Sequence, residues 1–596
     1  MITGESRPGK GFTLRRSLIA AFVMLDALLI GLIYYALKSD YITLVAILPR
    51  ASVVGLEAAF VMLLIGFGLS LRYFVRDFVL FETCFKWFFW LVGPFAILLA
   101  VVLPPKTNRI YFDEFWYANI GITIAEEGLA VFCNYCNYES GQLEIHTQEY
   151  NKQPNSHPYW IGLFYRLFGV SENVTFFASY LAAGILAFSL FWLGRWLVGT
   201  NWAGAFAALI GMTTPMFLVW AGTFAAEPST AAFSALAMLA AVLYQRESNY
   251  STGIFLVGTT AFALQFRPEC LLLLVPIGLI VLGRRPLEHL RSSRIYLLAA
   301  LLFILLVPHI LHLYAFRNHA WGSSDNRFSL EFFWHNLSVN GPYYFLNARH
   351  PLLITLLAVV GLIFTQRRWL ERAVAFLWFI ASWLVFLFFY AGSYNYGADV
   401  RFAVLTTPSL ALLAAFGCQV IVERFFAGKQ EEGRKVLLFL LTVSFVSFLP
   451  LIRMVGREAR EARQYVDIVR EWSNELPADS LVLSHTPNLW ILWHKNSVQL
   501  SRAKDEPGFI NQMLQAYPGG VYVDWGYWCN VPFPEQNQYC DYARNVLSLS
   551  LEHEEKKGTM HYLLYKVVPP ASMKFKFRDF SDNLPGDNGL ICQESE

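Results

Sequence analysis

Thirteen apolar segments, each near the length needed to cross a bilayer as a helix, leave this chain little freedom in what it can fold into. A helix spans about 30 Å of hydrocarbon with about 20 apolar residues. The segments fall near 17–37, 52–71, 87–103, 174–194, 202–222, 229–244, 252–266, 270–283, 295–315, 351–366, 373–390, 402–422 and 436–452, and 252–266 with 270–283 could equally form one bent pair. The first segment is too long for a signal peptide and lacks a small-residue cleavage site. Only 15% of residues are charged and 56% are hydrophobic, against about 25% and 45–50% in soluble domains. So much apolar and aromatic mass excludes a disordered chain. With 46 basic against 44 acidic side chains the net charge is +2, which supplies no phosphate-neutralising face for nucleic acid. The expected class is a polytopic α-helical integral membrane protein with about 13 spans.

Lys and Arg are retained on the cytoplasmic side near helix ends. The short connections hold most of them, among them Arg72, Arg76, Arg195, Arg246, Arg294, Arg424 and Arg434, whereas the much longer alternate connections hold few. The N-terminus is therefore expected in the cytoplasm and the C-terminus outside, in an inner or plasma membrane. Three outer stretches, 104–173, 316–350 and 453–596, are too long to be mere connectors. In the first, Phe112, Trp116 and Ile120 recur every fourth residue within Tyr111 to Gly128, which predicts a helix able to lie on the membrane face. In the tail, a charged helix near 456–474, strands at Ser480–Ser484, Val521–Trp525 and His561–Val568, and a helix near 535–549 predict a small extracytoplasmic α/β domain. The expected division is an N-terminal transmembrane pair (1–77), a transmembrane core (78–452) and this domain (453–596). Cys133, Cys136, Cys529, Cys540 and Cys592 fall outside the membrane, where an oxidising compartment favours disulfides. Cys133-Asn-Tyr-Cys136 reads as a structural disulfide, because no second pair with metal-like spacing and no thioredoxin-like unit surrounds it. Cys529 and Cys540 are the further disulfide candidates, and Cys592 is the spare.

Asp113-Glu114 sits about ten residues beyond a membrane segment. Adjacent helical carboxylates point about 100° apart, so only one can serve a given pocket; the other reading is a pair of first-turn acids favoured by the helix dipole. Lys152 stands in a Pro-punctuated turn before His157-Pro158-Tyr159-Trp160, where a cation could meet an anionic headgroup or simply snorkel. Glu227-Pro228 and Arg267-Pro268-Glu269 mark two further outer helix ends, and Arg401 follows the polar aromatic loop Gly392 to Asp399, which contains Tyr394 and Tyr396. Ionisable groups at the lip of an apolar bundle are functional candidates by default. Acids, cations and aromatics around one cavity mouth match a lipid-linked sugar, with a greasy tail, a phosphate and a ring to stack. Such chemistry needs a base at an acceptor hydroxyl and cations on the departing phosphate.

These residues resemble the GT-C glycosyltransferases, particularly the protein O-mannosyltransferases and the lipid A aminoarabinose transferase. Asp113-Glu114 is similar to their acidic motif. Lys152-Gln153-Pro154 with Tyr159-Trp160 and Arg166-Leu167-Phe168-Gly169 is similar to their Lys-Pro-Pro, Tyr-Trp and Arg-Leu-Phe-Gly stretch. Glu227-Pro228, Arg267-Pro268-Glu269 and Arg401 resemble later elements in the expected order, over residues 85–425. The resemblance implies a GT-C fold and inverting transfer from a polyprenyl-phosphate sugar to a glycan, lipid or protein hydroxyl, with Asp113 as base beside Glu114 and Glu227. It places Lys152, Arg267 and Arg401 on the donor phosphate, and His157, Tyr159, Glu269, Tyr394 and Tyr396 around the substrate. No ligand spacing demands a metal, so no cofactor is expected, with a divalent ion at the outer acids as the open alternative. Departures are clear: the acids follow the third segment rather than the first, Asn155 replaces the second proline, the second acidic element is Glu, and Cys133 to Glu149 is an insertion. The competing classes are a membrane transporter or lipid flippase, for which charges near the midplane and broken helices are the signature, and a binding module anchored by the helices.

Overall fold

The computed structural model describes residues 10–109, 111–139, 142–283, 286–290, 292–317, 326–365, 368–396 and 400–569. Gly397 to Asp399 of the aromatic loop and Cys592 lie outside the described residues, as do the side chains of Tyr111 and Phe112. Every apolar segment singled out in the sequence is helical. Among the described residues, eight helices are long and apolar enough to cross a membrane, and nine if Asn201–Thr213 and Pro215–Ala221, bent by 58°, count as one span. The bend falls at Thr214, whose backbone is extended (φ −61°, ψ 120°), as expected for the residue before a proline. Tyr250–Leu264, Pro268–Leu282 and Leu352–Phe364 are apolar but short, so about 13 spans is more than these criteria count.

The most deeply set spanning helix is Ala226–Arg246, buried throughout its apolar window. Ala231, Ala232, Ala235, Ala237, Ala240 and Ala241 line it, and small side chains let neighbouring helices approach without a hydrophobic driving force between them. Glu227 sits in its first turn, at the end of the bundle that carries the remaining polar residues of interest.

Among the described residues, seven strands form one sheet in the order β2-β1-β4-β3-β5-β7-β6. They are β1 (Val131–Glu139), β2 (Gln142–Tyr150), β3 (Leu481–Ser484), β4 (Asn496–Gln499), β5 (Val521–Trp525), β6 (Leu549–Lys557) and β7 (Met560–Val567). β3 runs parallel to β4 and β5 and is buried along its whole length, as central parallel strands are. The tail does not build this sheet alone. The hairpin β1–β2 from the first long loop joins it, with Tyr135 opposite Val498 and Cys136 opposite Ser497.

The helix Tyr111–Glu126, called here the acid helix, does not lie on a membrane face by a single stripe. Phe115, Tyr117, Ala118, Ile120, Ile122 and Ile124 are all buried, because the apolar positions occupy every side of the helix. It packs against the helix Ser156–Phe168 on one side and against the tail helix Pro487–Leu492 on another. Gly121 and Gly162 permit the first contact: a Cβ on Gly162 would meet the Gly121 carbonyl oxygen at 2.9 Å. Gly169, at φ 79°, then ends the helix Ser156–Phe168 in a conformation that favours glycine.

Candidate active site

The two neighbouring acids part company. Asp113 Oδ2 lies 3.3 Å from Arg401 Nη1, whereas Glu114 is fully buried and turns the other way. Glu114 Oε2 accepts hydrogen bonds from Asn108 Nδ2 (3.0 Å) and from the Phe224 backbone N–H (2.8 Å). Through this oxygen Glu114 anchors the Asn108 side chain and the Phe224 amide. His157 holds the other side of the same residue, with Nε2 2.7 Å from the Phe224 carbonyl. Asn108 in turn accepts from Arg463 Nη1 at 3.2 Å, and Arg463 also pairs with Glu172. A buried polar chain thus ties the tail helix Arg460–Glu475 to the first turn of the acid helix.

From Asp113 the ionic contacts run on without a break. Arg401 Nε lies 3.9 Å from Glu227 Oε1, Glu227 Oε1 is 2.8 Å from Arg267 Nη1, and Arg267 Nε pairs with Glu269. Both guanidiniums sit over the Phe402 ring, at 5.1 Å for Arg267 and 4.7 Å for Arg401, and Phe402 stacks on Phe386. Pro268 keeps Arg267 extended (φ −152°, ψ 151°), which carries its side chain back to Glu227. Exposure ranks the acids. The Glu227 side chain is 2% exposed and that of Glu269 13%, while Asp113 keeps 30%. Asp113 is the carboxylate that a ligand can reach. Among the cations, Arg267 gives Nη1 and Nε to carboxylates, whereas Arg401 Nε is buried without a hydrogen-bond partner.

Lys152 has its ammonium 6.0 Å from the Trp116 ring, one turn along the acid helix from Asp113, and no carboxylate among the described residues lies within ion-pair reach of it. Its carbonyl meets His312 Nε2 at 3.2 Å. Tyr117 escaped the sequence reading, although it follows Asp113 by four residues and so shares its face. Burial, with the charges of Asp113 and Glu227, raises its phenol well above the usual tyrosine range, leaving a neutral O–H at the cluster. Tyr390 is a second residue missed: burial foremost, with the charges of Asp113 and others nearby, raises its phenol, and Tyr396 stands beside it at the rim, 48% exposed.

Tyr159 and Tyr394 lie away from the cluster. Tyr159 is buried against Phe60 and Phe262. Tyr394 is buried with its hydroxyl 3.0 Å from that of Tyr344. Cys133 is bonded to Cys136 and Cys529 to Cys540. Among the described residues, the one group with metal-like proximity is His485 with Cys529 and Cys540, whose sulfurs are taken by that disulfide.

His157 also makes the site sensitive to acid. Complete burial lowers its imidazole to about 4 from an unfolded value near 6.5. As pH falls below about 6.5 the unfolded chain takes up a proton that the folded one refuses, so stability is full above that value and declines down to about 4, by about 3 kcal/mol in all. Thermal unfolding of His157→Gln should lose one proton's worth of this slope.

Residues 152–312 match the family described as dolichyl-phosphate-mannose-protein mannosyltransferase. That stretch contains Lys152, His157, Glu227, Arg267 and Glu269. No curated protein matches the chain. Two crystal structures of ArnT from Cupriavidus metallidurans superpose on most of it. The one bound to undecaprenyl phosphate is 15% identical and covers 83% of this chain and 99% of its own, with a TM-score of 0.52. The apo structure is 15% identical, covers 82% and 99%, and has a TM-score of 0.53. The fold is that of these ArnT structures. On this frame the ionic chain runs through helix ends far apart in sequence: Asp113, Glu227 and Arg401 each open a helical segment, and Arg267 caps one.

Proposed function

We propose that the protein is an inverting glycosyltransferase that moves a sugar from a polyprenyl-phosphate donor to an acceptor hydroxyl at the outer face of the membrane. The observation that carries this reading is the pairing of Asp113, the most open carboxylate of a buried ionic chain, with Arg401, which bridges Asp113 and Glu227. In the reaction, Asp113 accepts the proton of the acceptor hydroxyl as that oxygen bonds to the anomeric carbon from the face opposite the phosphate. The bond from that carbon to the phosphate oxygen breaks, and its electron pair leaves on the lipid phosphate. Lys152 and Arg401 have donors to spare for that charge. Arg267 acts behind them by fixing Glu227 and Glu269, and Tyr117 contributes a neutral donor. Fixed charges in a water-poor site need no reorganisation at the moment of reaction. The likeness to a structure that holds undecaprenyl phosphate supports a lipid of that class as donor.

All thirteen helical segments crossing the membrane, an N-terminal pair (1–77) outside the core (78–452), a cytoplasmic N-terminus and an outer C-terminal α/β domain (453–596) belong to the same proposal. The transporter reading fits less well, because the cluster stands at helix ends rather than at mid-span. A binding module on an anchor fits less well too, because the tail packs onto the acid helix itself.

Lys152→Gln tests the donor side. Removing one charge-assisted contact to phosphate, of about 1.5–3 kcal/mol, should raise the donor KM by about 10–100-fold with a smaller change in kcat. The measurement is transfer from a radiolabelled polyprenyl-phosphate sugar by purified protein. Passage of the intact donor across vesicles without transfer would overturn the reading.

A further inference from the structure

Away from the ionic chain, the helix Gln430–Glu458 carries a feature that the transfer reaction does not use. It is the most peripheral of the spanning helices, with 11% of its apolar window buried. Ile452 and Val455 face inward and are fully buried, and the Val455 carbonyl accepts a hydrogen bond from Arg109 Nη1 at 2.8 Å. On the opposite side, Val446, Leu449, Pro450, Arg453, Met454 and Arg457 line a groove of about 470 Å³. Their spacing of three, four, seven, eight and eleven residues keeps them on one stripe.

The stripe is polar at one end only. Arg453 and Arg457 are exposed, four residues apart on one face, and no described carboxylate lies within ion-pair reach of either. Two guanidiniums so placed repel each other unless an anion lies between them. The residues below them are apolar, and Pro450 denies the helix one internal donor, so the Val446 carbonyl at the groove lacks its usual partner. A soluble anion would satisfy the arginines and leave the apolar floor bare. A lipid satisfies both.

We propose that this groove binds one membrane lipid with a phosphate headgroup, the phosphate between Arg453 and Arg457 and the upper chain along Val446, Leu449, Pro450 and Met454. The site is separate from the ionic chain and stands whether or not the transfer reading does.

Native mass spectrometry of the full-length protein in detergent, titrated with phosphatidylglycerol, phosphatidylcholine or inorganic phosphate, tests it. The wild type should hold one phosphatidylglycerol about tenfold or more tightly than phosphatidylcholine. Arg453→Gln/Arg457→Gln should lose that preference, and Arg453→Lys/Arg457→Lys should keep most of it. Asp113→Asn should keep all of it, which separates this site from the transfer machinery. Millimolar inorganic phosphate should fail to displace the lipid. Unchanged preference in the double Gln variant, equal binding of phosphatidylcholine, or displacement by phosphate alone would each overturn the proposal.

Discussion

Asp113→Asn should lower the turnover of sugar transfer by about 10²–10⁴-fold, the usual share of general-base catalysis, with little change in donor KM. The amide keeps the shape of the carboxylate and an oxygen facing Arg401, so positioning survives while the proton acceptor is lost. Aspartate is a weak base toward an alcohol, and its help is confined to the transition state, which is why the effect belongs in kcat. Thermal unfolding should be nearly unchanged, since the side chain is partly open and its ion pair with Arg401 is the most exposed link between Asp113 and Glu269. Transfer from a radiolabelled donor by purified protein gives the answer, and turnover close to wild type would remove Asp113 from the mechanism.

Arg267→Met is expected to act on the fold as much as on the reaction. Its guanidinium stands between Glu227 and Glu269, and removing it leaves two carboxylates in an apolar bundle. Breaking a buried pair in this way costs about 3–5 kcal/mol, enough to unfold many proteins outright. The partner substitution makes the cause visible: Arg267→Met combined with Glu269→Met should recover part of the loss, because apolar side chains replace a buried pair more cheaply than an orphaned charge does. Unfolding in detergent, read as a double-mutant cycle, separates this from a simple packing defect. If the single and double variants lose the same stability, the ionic chain is not what holds these helix ends together.

The membrane helices were legible because lipid demands long apolar runs, and each run in the sequence is helical in the structure, the one near 202–222 broken at Thr214. The four elements Asp113, Glu227, Arg267 and Arg401 were legible as charges at helix ends, which lipid makes conspicuous. Their order in space was not, since nothing local says that Arg401 reaches both Asp113 and Glu227. Asp113 and Glu114 look equivalent in sequence; the distinction rests on Asn108 and the Phe224 amide, and the latter is 110 residues away from Glu114. Tyr159 and Tyr394 read as sugar platforms because an aromatic near a polar loop gives the same signal whether it packs inward or faces a ligand. Tyr117 was within reach of the sequence through its four-residue spacing from Asp113. The stretch of the hairpin β1–β2 was read as an insertion because the resembled family offers no counterpart, and its pairing stayed hidden because its register is irregular at Tyr135 and its neighbour β4 lies some 360 residues on.

That pairing sets an order of biogenesis. The ribosome releases Tyr135 and Cys136 before most of the hydrophobic helices exist, yet their partners Val498 and Ser497 are synthesised only after the last of those helices has been threaded into the bilayer. Until then the hairpin presents an unfilled edge, and the acid helix lacks the cover of Pro487–Leu492. A chain truncated near residue 460 would hold every long apolar helix yet lack both β4 and the helix Pro487–Leu492 that covers the acid helix.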